Sequence, residues 1–166
     1  LTLTLLYSVM AHEIAHGWVA YIFGDATAKN AGRLTLDPRS HLDPVGTIAL
    51  LLVGFGWARP VPVNYYNLRN FRLGLFCVAF AGVFTNILIA TIALFLLQFH
   101  ANPNSIFALT LSLFARINIV LGAFNLIPIP PLDGSKILMA LLPRQQQESL
   151  ARFELLGFII LIIFLF

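Results

Sequence analysis

Two apolar runs, residues 74–99 and 106–124, are long enough to cross a bilayer as helices, which takes roughly 17–25 residues. No other feature restricts the fold as strongly. The chain of 166 residues is 59% hydrophobic and 10% charged, whereas soluble domains are roughly 45–50% apolar and about 25% charged. A core this small cannot hide that excess from water. The expected fold is an all-α polytopic membrane protein, a transmembrane helical bundle forming a single domain over residues 1–166.

Two further segments extend the bundle. Residues 1–24 are apolar apart from His12, Glu13, His16 and small polar residues, and Gly24-Asp25 ends them. Residues 153–166 begin a last span that is expected to be truncated. The run 45–58 is too short to cross and is interrupted by three glycines. Together with the alternation Pro60-Val61-Pro62-Val63 it reads as a small membrane-associated re-entrant/β segment over 45–63, with an extended edge. A short strand is expected at Gly32–Leu36. "NLIPIPPLDG" (125–134) breaks the third span with three prolines, and a helix resumes through Ser135–Leu142, so 106–142 is one broken helix. The chain starts inside an apolar run without an initiator Met or a signal-peptide pattern, so upstream residues are expected to be missing.

The net charge of +3 comes from basic residues spread over loops. That argues against a nucleic-acid partner and for a lipid bilayer. Lys29, Arg33, Arg39, Arg59, Arg69 and Arg72 lie within 25–75, and Arg144 and Arg152 within 143–152. The 100–105 turn has neither Lys nor Arg. By the positive-inside rule the first two regions are cytoplasmic and the turn is outside. The first span then runs inward, the second outward, the third inward and the last outward, provided that 45–58 does not cross. Cys77 is the only cysteine, so an intrachain disulfide and a cysteine metal cluster are excluded. Arg116 in the third span either snorkels or pairs within the bundle.

Against this background His12-Glu13-Ile14-Ala15-His16 stands out. A charged group at mid-membrane costs roughly 2.5–3.5 kcal/mol on insertion scales and marks function. His12 and His16, four residues apart on a helix, share one face and can hold one zinc ion. Glu13 beside them can take a proton from water that the metal has acidified and pass it to a leaving amine. If the helix surfaces near Gly24, His16 lies about 12 Å below the cytoplasmic face. A catalytic zinc usually has three protein ligands. Residues 17–24 offer neither Glu nor His. Glu148 and Glu154 fall at the wrong depth, and His100 is in the external turn. His41 reads as a solvated loop histidine. Asp133, entering the membrane after the proline-broken turn, is the strongest third ligand. A helix N-cap is its competing role, and both can hold.

HEIAH, "AGVFTN" and "NLIPIPPLDG", in this order on separate membrane segments, resemble the site-2 protease family of intramembrane zinc metalloproteases. "GRLTLDPRSHLDPVGT" and "GFGWARPVPVN" resemble its short bacterial members without PDZ or CBS domains. The resemblance covers nearly the whole chain and implies one Zn2+ held by His12, His16 and Asp133, with Glu13 as the catalytic acid/base. It places Asn86 near the active site and lets Asn125 hold a substrate strand. Interhelical hydrogen bonding is an equal reading for Asn86, and satisfying proline-freed backbone is the favoured one for Asn125. Val83 departs from the proline that many relatives carry. The usual first helix of the family core is absent from this sequence.

What the resemblance implies is hydrolysis of a peptide bond in or near a transmembrane helix of another membrane protein, at a bacterial inner membrane, with the site toward the cytoplasm. An unwound substrate would pair with the 45–63 edge, where Gly54 and Gly56 allow close approach. A zinc transporter is the main alternative, but the intramembrane acids and histidines gather at one depth, whereas Ile87–Leu97 is apolar apart from Thr91. An inactive relative is disfavoured by the intact Glu13. The missing Glu ligand and the buried site disfavour an anchored zincin acting on soluble peptides.

Overall fold

The computed structural model describes residues 2–53, 58–99, 102, 104–143, 145–147 and 157. Its helices are α1 (Thr2–Ile22), a single turn α2 (Thr27–Asn30), α3 (Pro44–Val53), α4 (Phe71–Gln98), α5 (Ile106–Asn125) and α6 (Asp133–Leu141). Two of them, α4 and α5, are long and apolar enough to cross a membrane. At 21 residues, α1 is about as long as α5, but His12, Glu13 and His16 interrupt its apolar character. The Gly32–Leu36 strand does not form: Gly32 turns the chain at φ +65°, and the described residues contain no strand, only an isolated antiparallel bridge between Leu42 and Ala58. The 45–63 segment divides into α3 and, from residue 58 onward, chain outside regular secondary structure apart from the bridge at Ala58. Gly54, Gly56 and nearly all of 153–166 lie outside the described residues.

The outer surface of the bundle is apolar, and beside buried Met10, Leu75, Val78 and Val83 its interior holds many small and polar residues. On α1 the residues Thr4, Ser8, His12, His16 and Ala20 are all buried. Their spacing of four places them along one face. Leu3, Tyr7, Trp18 and Ile22 are exposed. On α4, Gly82, Asn86, Ala90 and Ala93 are buried, and Phe80, Phe84, Ile87 and Ile92 point outward. On α5, Ala108, Ala115, Asn118 and Gly122 are buried. Small and polar residues inside with large apolar residues outside is the membrane solution, because lipid solvates Phe and Leu while small residues let backbones approach. Asn118 stitches the bundle, donating from Nδ2 to Ser8 Oγ at 2.8 Å. Arg116 is exposed on α5, which fits the snorkelling alternative.

Helix ends are set by local chemistry. Asn70 accepts from Leu73 N–H to start α4, and Ser105 accepts from Ala108 N–H to start α5; both are N-caps. α1 ends on Gly24 at φ +107°. Gly24 N–H bonds to Tyr21 O and Asp25 N–H to Ala20 O, the Schellman pattern that needs a left-handed residue at Gly24. Asp25 is fully buried just beyond that stop. Its Oδ1 accepts from Thr27 N–H at 3.1 Å, the Thr27 hydroxyl and Asn67 Nδ2 at 2.9 Å, and its Oδ2 from Asn64 N–H at 2.7 Å. One carboxylate thus ties the end of α1 to the 64–67 turn.

Burial alone would raise the Asp25 pKa, but the bonds from Thr27, Asn67 and Asn64 outweigh it and hold the carboxyl below its ordinary value of 3.8. Replacing Asp25 with Ala is expected to cost roughly 1–3 kcal/mol, the penalty for stranding donors of this kind, seen as a lower Tm of the chain in detergent at pH 7. The stabilisation is complete above the ordinary carboxylate value and is lost as pH falls through the lowered folded-state value. The Tm gap between wild type and Asp25→Ala therefore persists to pH 4 and closes only in stronger acid.

Candidate metal centre

The site forms where α1, α4 and α6 meet. His12 and His16 project from the buried face of α1, and Asp133 is the first residue of α6. All three are at least nine-tenths buried. The close approach of α6 depends on Gly134, because a Cβ there would collide with the carbonyl oxygens of Leu126 and Ile127. Asp133 is therefore held against the proline-broken turn that precedes it. The N-cap alternative does not apply: Leu132 occupies the cap position and no side chain caps α6.

His12 Nε2 lies 3.0 Å from Asp133 Oδ2, His16 Nε2 lies 3.1 Å from it, and the two Nε2 atoms are 3.0 Å apart. The His16 tautomer follows from its other nitrogen, which sits 2.6 Å from the Val78 carbonyl of α4. A carbonyl only accepts, so Nδ1 carries the proton and a neutral His16 turns its Nε2 lone pair toward Asp133. Asp133 Oδ2, despite two nitrogens at contact distance, has no partner in hydrogen-bond geometry among the described residues. Lone pairs crowded this way in a dry interior are relieved by a proton or a metal cation between them.

The donor set fits zinc. Zn–N and Zn–O bonds near 2.0–2.2 Å put tetrahedral ligand atoms about 3.3 Å apart, close to the three separations here. Two imidazoles and one carboxylate leave a fourth position open, as in catalytic rather than structural sites. Gly82 of α4 completes the cradle. A Cβ at that position would lie 2.5 Å from His12 Cε1 and 2.6 Å from both Nε2 atoms, so the glycine of "AGVFTN" leaves room for the ligand rings.

Glu13 is half-buried and faces the extended segment beyond residue 58, where its Oε2 accepts from Val61 N–H at 2.8 Å. Asn86, one turn beyond Gly82, is completely buried, and neither of its amide atoms has a partner among the described residues. It packs beside Gly122 of α5. Asn125 bonds back to Leu121 O at 3.0 Å, a local role at the end of α5. His41 is not solvated. It is fully buried, and its Nε2 donates to Thr35 O at 2.8 Å, so it serves the loop between α2 and α3 and stays apart from the His12, His16 and Asp133 cluster. Sequence reasoning did not find Gly82 as a cradle, the Val78 carbonyl or the Val61 N–H. The last two are backbone groups and leave no mark in residue identities.

Residues 100–166 match the model of peptidase family M50. YwhC of Bacillus subtilis strain 168, assigned as a zinc metalloprotease, is 44% identical over 171 residues, covering 98% of this chain and 78% of YwhC. Rip2 of Mycolicibacterium smegmatis, assigned likewise, is 30% identical over 96% of this chain and 64% of its own length. The zinc metalloprotease MJ0392 of Methanocaldococcus jannaschii is 31% identical over 87% of this chain, which spans 35% of that protein. No solved structure matches the chain. Zinc is accordingly the metal that this chemistry and these relatives share.

Gly82→Ala is expected to weaken zinc binding on the order of 10–100-fold, the range for disturbed ligand support. Zinc retained against a graded chelator series checks this. Unchanged retention would show that the ring positions do not depend on Gly82.

Proposed function

Because this chain belongs to peptidase family M50 and is a membrane-embedded zinc metalloprotease, we propose that it is an intramembrane endopeptidase. In this reading it hydrolyses a peptide bond in or near a transmembrane helix of another membrane protein. The observation that carries the reading is the burial of the proposed ligand set: His12, His16 and Asp133 lie buried among helices whose outer surfaces suit lipid. A soluble peptide would have little access to such a site.

His12, His16 and Asp133 are the proposed zinc ligands. Bound there, zinc supplies a Lewis acid that acidifies water and polarises a carbonyl. Glu13 is the proposed general base and acid. Its carboxylate takes a proton from the attacking water and delivers it to the amine that leaves. The Val61 N–H on Oε2 fixes the carboxylate and leaves Oε1 for the proton. Val78, through its carbonyl, keeps His16 in the tautomer that ligation requires. The amide of Asn86, one turn beyond the cradle and without a partner among the described residues, supports a role beside the site. Asn125 is spent on Leu121, which supports the structural reading for it.

A helical substrate must unwind before its carbonyl can be attacked. The chain at 58–63 is the proposed edge on which it pairs, through the backbone groups that Arg33, His41 and Glu13 leave open, and its contact with Glu13 supports that place. The charge distribution supports a cytoplasmic-side site at an inner membrane: α1 ends at Ile22, and the basic residues of 25–75 gather beyond it.

The test is to express the chain in bacterial membrane vesicles and identify new protein termini by mass spectrometry. Wild type should generate cuts within or beside transmembrane segments. Glu13→Gln should lower their rate by roughly 10²–10⁴-fold with the zinc content unchanged. Equal cutting by Glu13→Gln, or no membrane cuts by wild type, would refute the reading.

A further inference from the structure

Arg33 is a buried arginine, 6% exposed, in the loop after α2. Taking a guanidinium out of water is costly unless its donors are used. Its Nη2 donates to the Arg59 carbonyl at 2.7 Å, whereas its Nε is buried without a partner among the described residues. The Arg59 peptide is held from its other side as well, since Arg59 N–H donates to His41 O at 2.8 Å. His41 is itself fixed by Thr35 O. Two residues beyond Arg59 stands Val61, whose N–H holds Glu13 Oε2 at 2.8 Å. Pro60 between them has no N–H to offer a competing anchor. The guanidinium also lies within electrostatic reach of Glu13. A short run of fixed bonds therefore connects a buried cation to the carboxylate beside the metal ligands.

We propose that Arg33 is a positioning residue for Glu13: by pinning the Arg59 carbonyl it holds the 59–61 backbone so that the Val61 N–H orients the Glu13 carboxylate. The proposal rests on the general-base role proposed for Glu13. The desolvation of Arg33 is then the cost of a rigid backbone donor at the reacting centre. Without that pin the 59–61 backbone keeps its bond to His41 but can rotate the Val61 N–H away. A carboxylate misplaced by even about 1 Å can cost on the order of 100-fold in rate.

The experiment uses the full chain and a peptide spanning a segment that wild type cuts in vesicles. It measures kcat, KM, zinc content and Tm for Arg33→Met, Arg33→Lys, Val61→Pro and the double variant Arg33→Met/Val61→Pro. Arg33→Met should lose ~10–100-fold in kcat, with KM and zinc content near wild type. Arg33→Lys, which still offers a cationic donor, should recover most of that loss. Val61→Pro removes the N–H itself and should match Arg33→Met, and the double variant should be no worse than either single one, as expected for residues acting as a unit. Unchanged kcat in Arg33→Met, a loss confined to KM, or losses that multiply in the double variant would overturn the proposal. If Arg33→Met loses zinc or folding, Val61→Pro decides, and a wild-type kcat there overturns it. Glu13→Gln run alongside separates the two failures: an active Glu13→Gln removes the premise, whereas an inactive one beside a fully active Arg33→Met rejects the role of Arg33 alone.

Discussion

Two imidazole nitrogens and one carboxylate oxygen meet within about 3 Å in the buried interior of the bundle, and most of the bundle is the support for that meeting. Such a cluster is unfavourable by itself, since it strips polar atoms of water and aims them at one another. A divalent cation turns the same arrangement into a strong site. The helix packing serves this end: Gly82 leaves space for the rings, Gly134 lets Asp133 approach, and the Val78 carbonyl sets the tautomer of His16. Small residues at these contacts are also what membrane helices use to pack closely. Packing and ligation therefore ask for the same residues.

A second layer of order lies on the side where the basic loops gather. Asp25 gathers donors from Thr27, Asn64 and Asn67 and so locks the end of α1 to the start of the chain leading into α4. Arg33, His41 and Arg59 brace the neighbouring extended segment. Between these two braces lies Val61, whose N–H touches Glu13. The proposed ligands thus belong to α1 and α6, and the orientation of the proposed base belongs to a polar scaffold at the helix ends. A disturbance of the loops would act on turnover before it acted on metal binding.

Local spacing made part of this visible in the sequence. His12 and His16 were legible because four residues on a helix fix a shared face. Asp133 was legible because the remaining acids and histidines fell in loops. The extents of α1, α4 and α5 follow from apolar runs and from the stop at Gly24, although α4 begins at Phe71, ahead of the expected residue 74, because Asn70 caps it there. Burial of single polar residues in a loop was not legible. His41, Asp25 and Arg33 sit in a polar stretch that reads as solvated, and only the fold decides that these three turn inward. The strand expected at Gly32–Leu36 was likewise a pattern without a partner, and Gly32 in a left-handed turn prevents it. Gly82 stands within the "AGVFTN" motif, but the atoms it makes room for come from another helix.

The most direct measurement is anomalous diffraction at the zinc edge from crystals of the zinc-loaded chain. The account predicts one strong peak bonded to His12 Nε2, His16 Nε2 and an Asp133 carboxylate oxygen at about 2.0–2.2 Å, with Glu13 beside it and unbonded. A peak held without Asp133, or one bonded directly by Glu13, would contradict it.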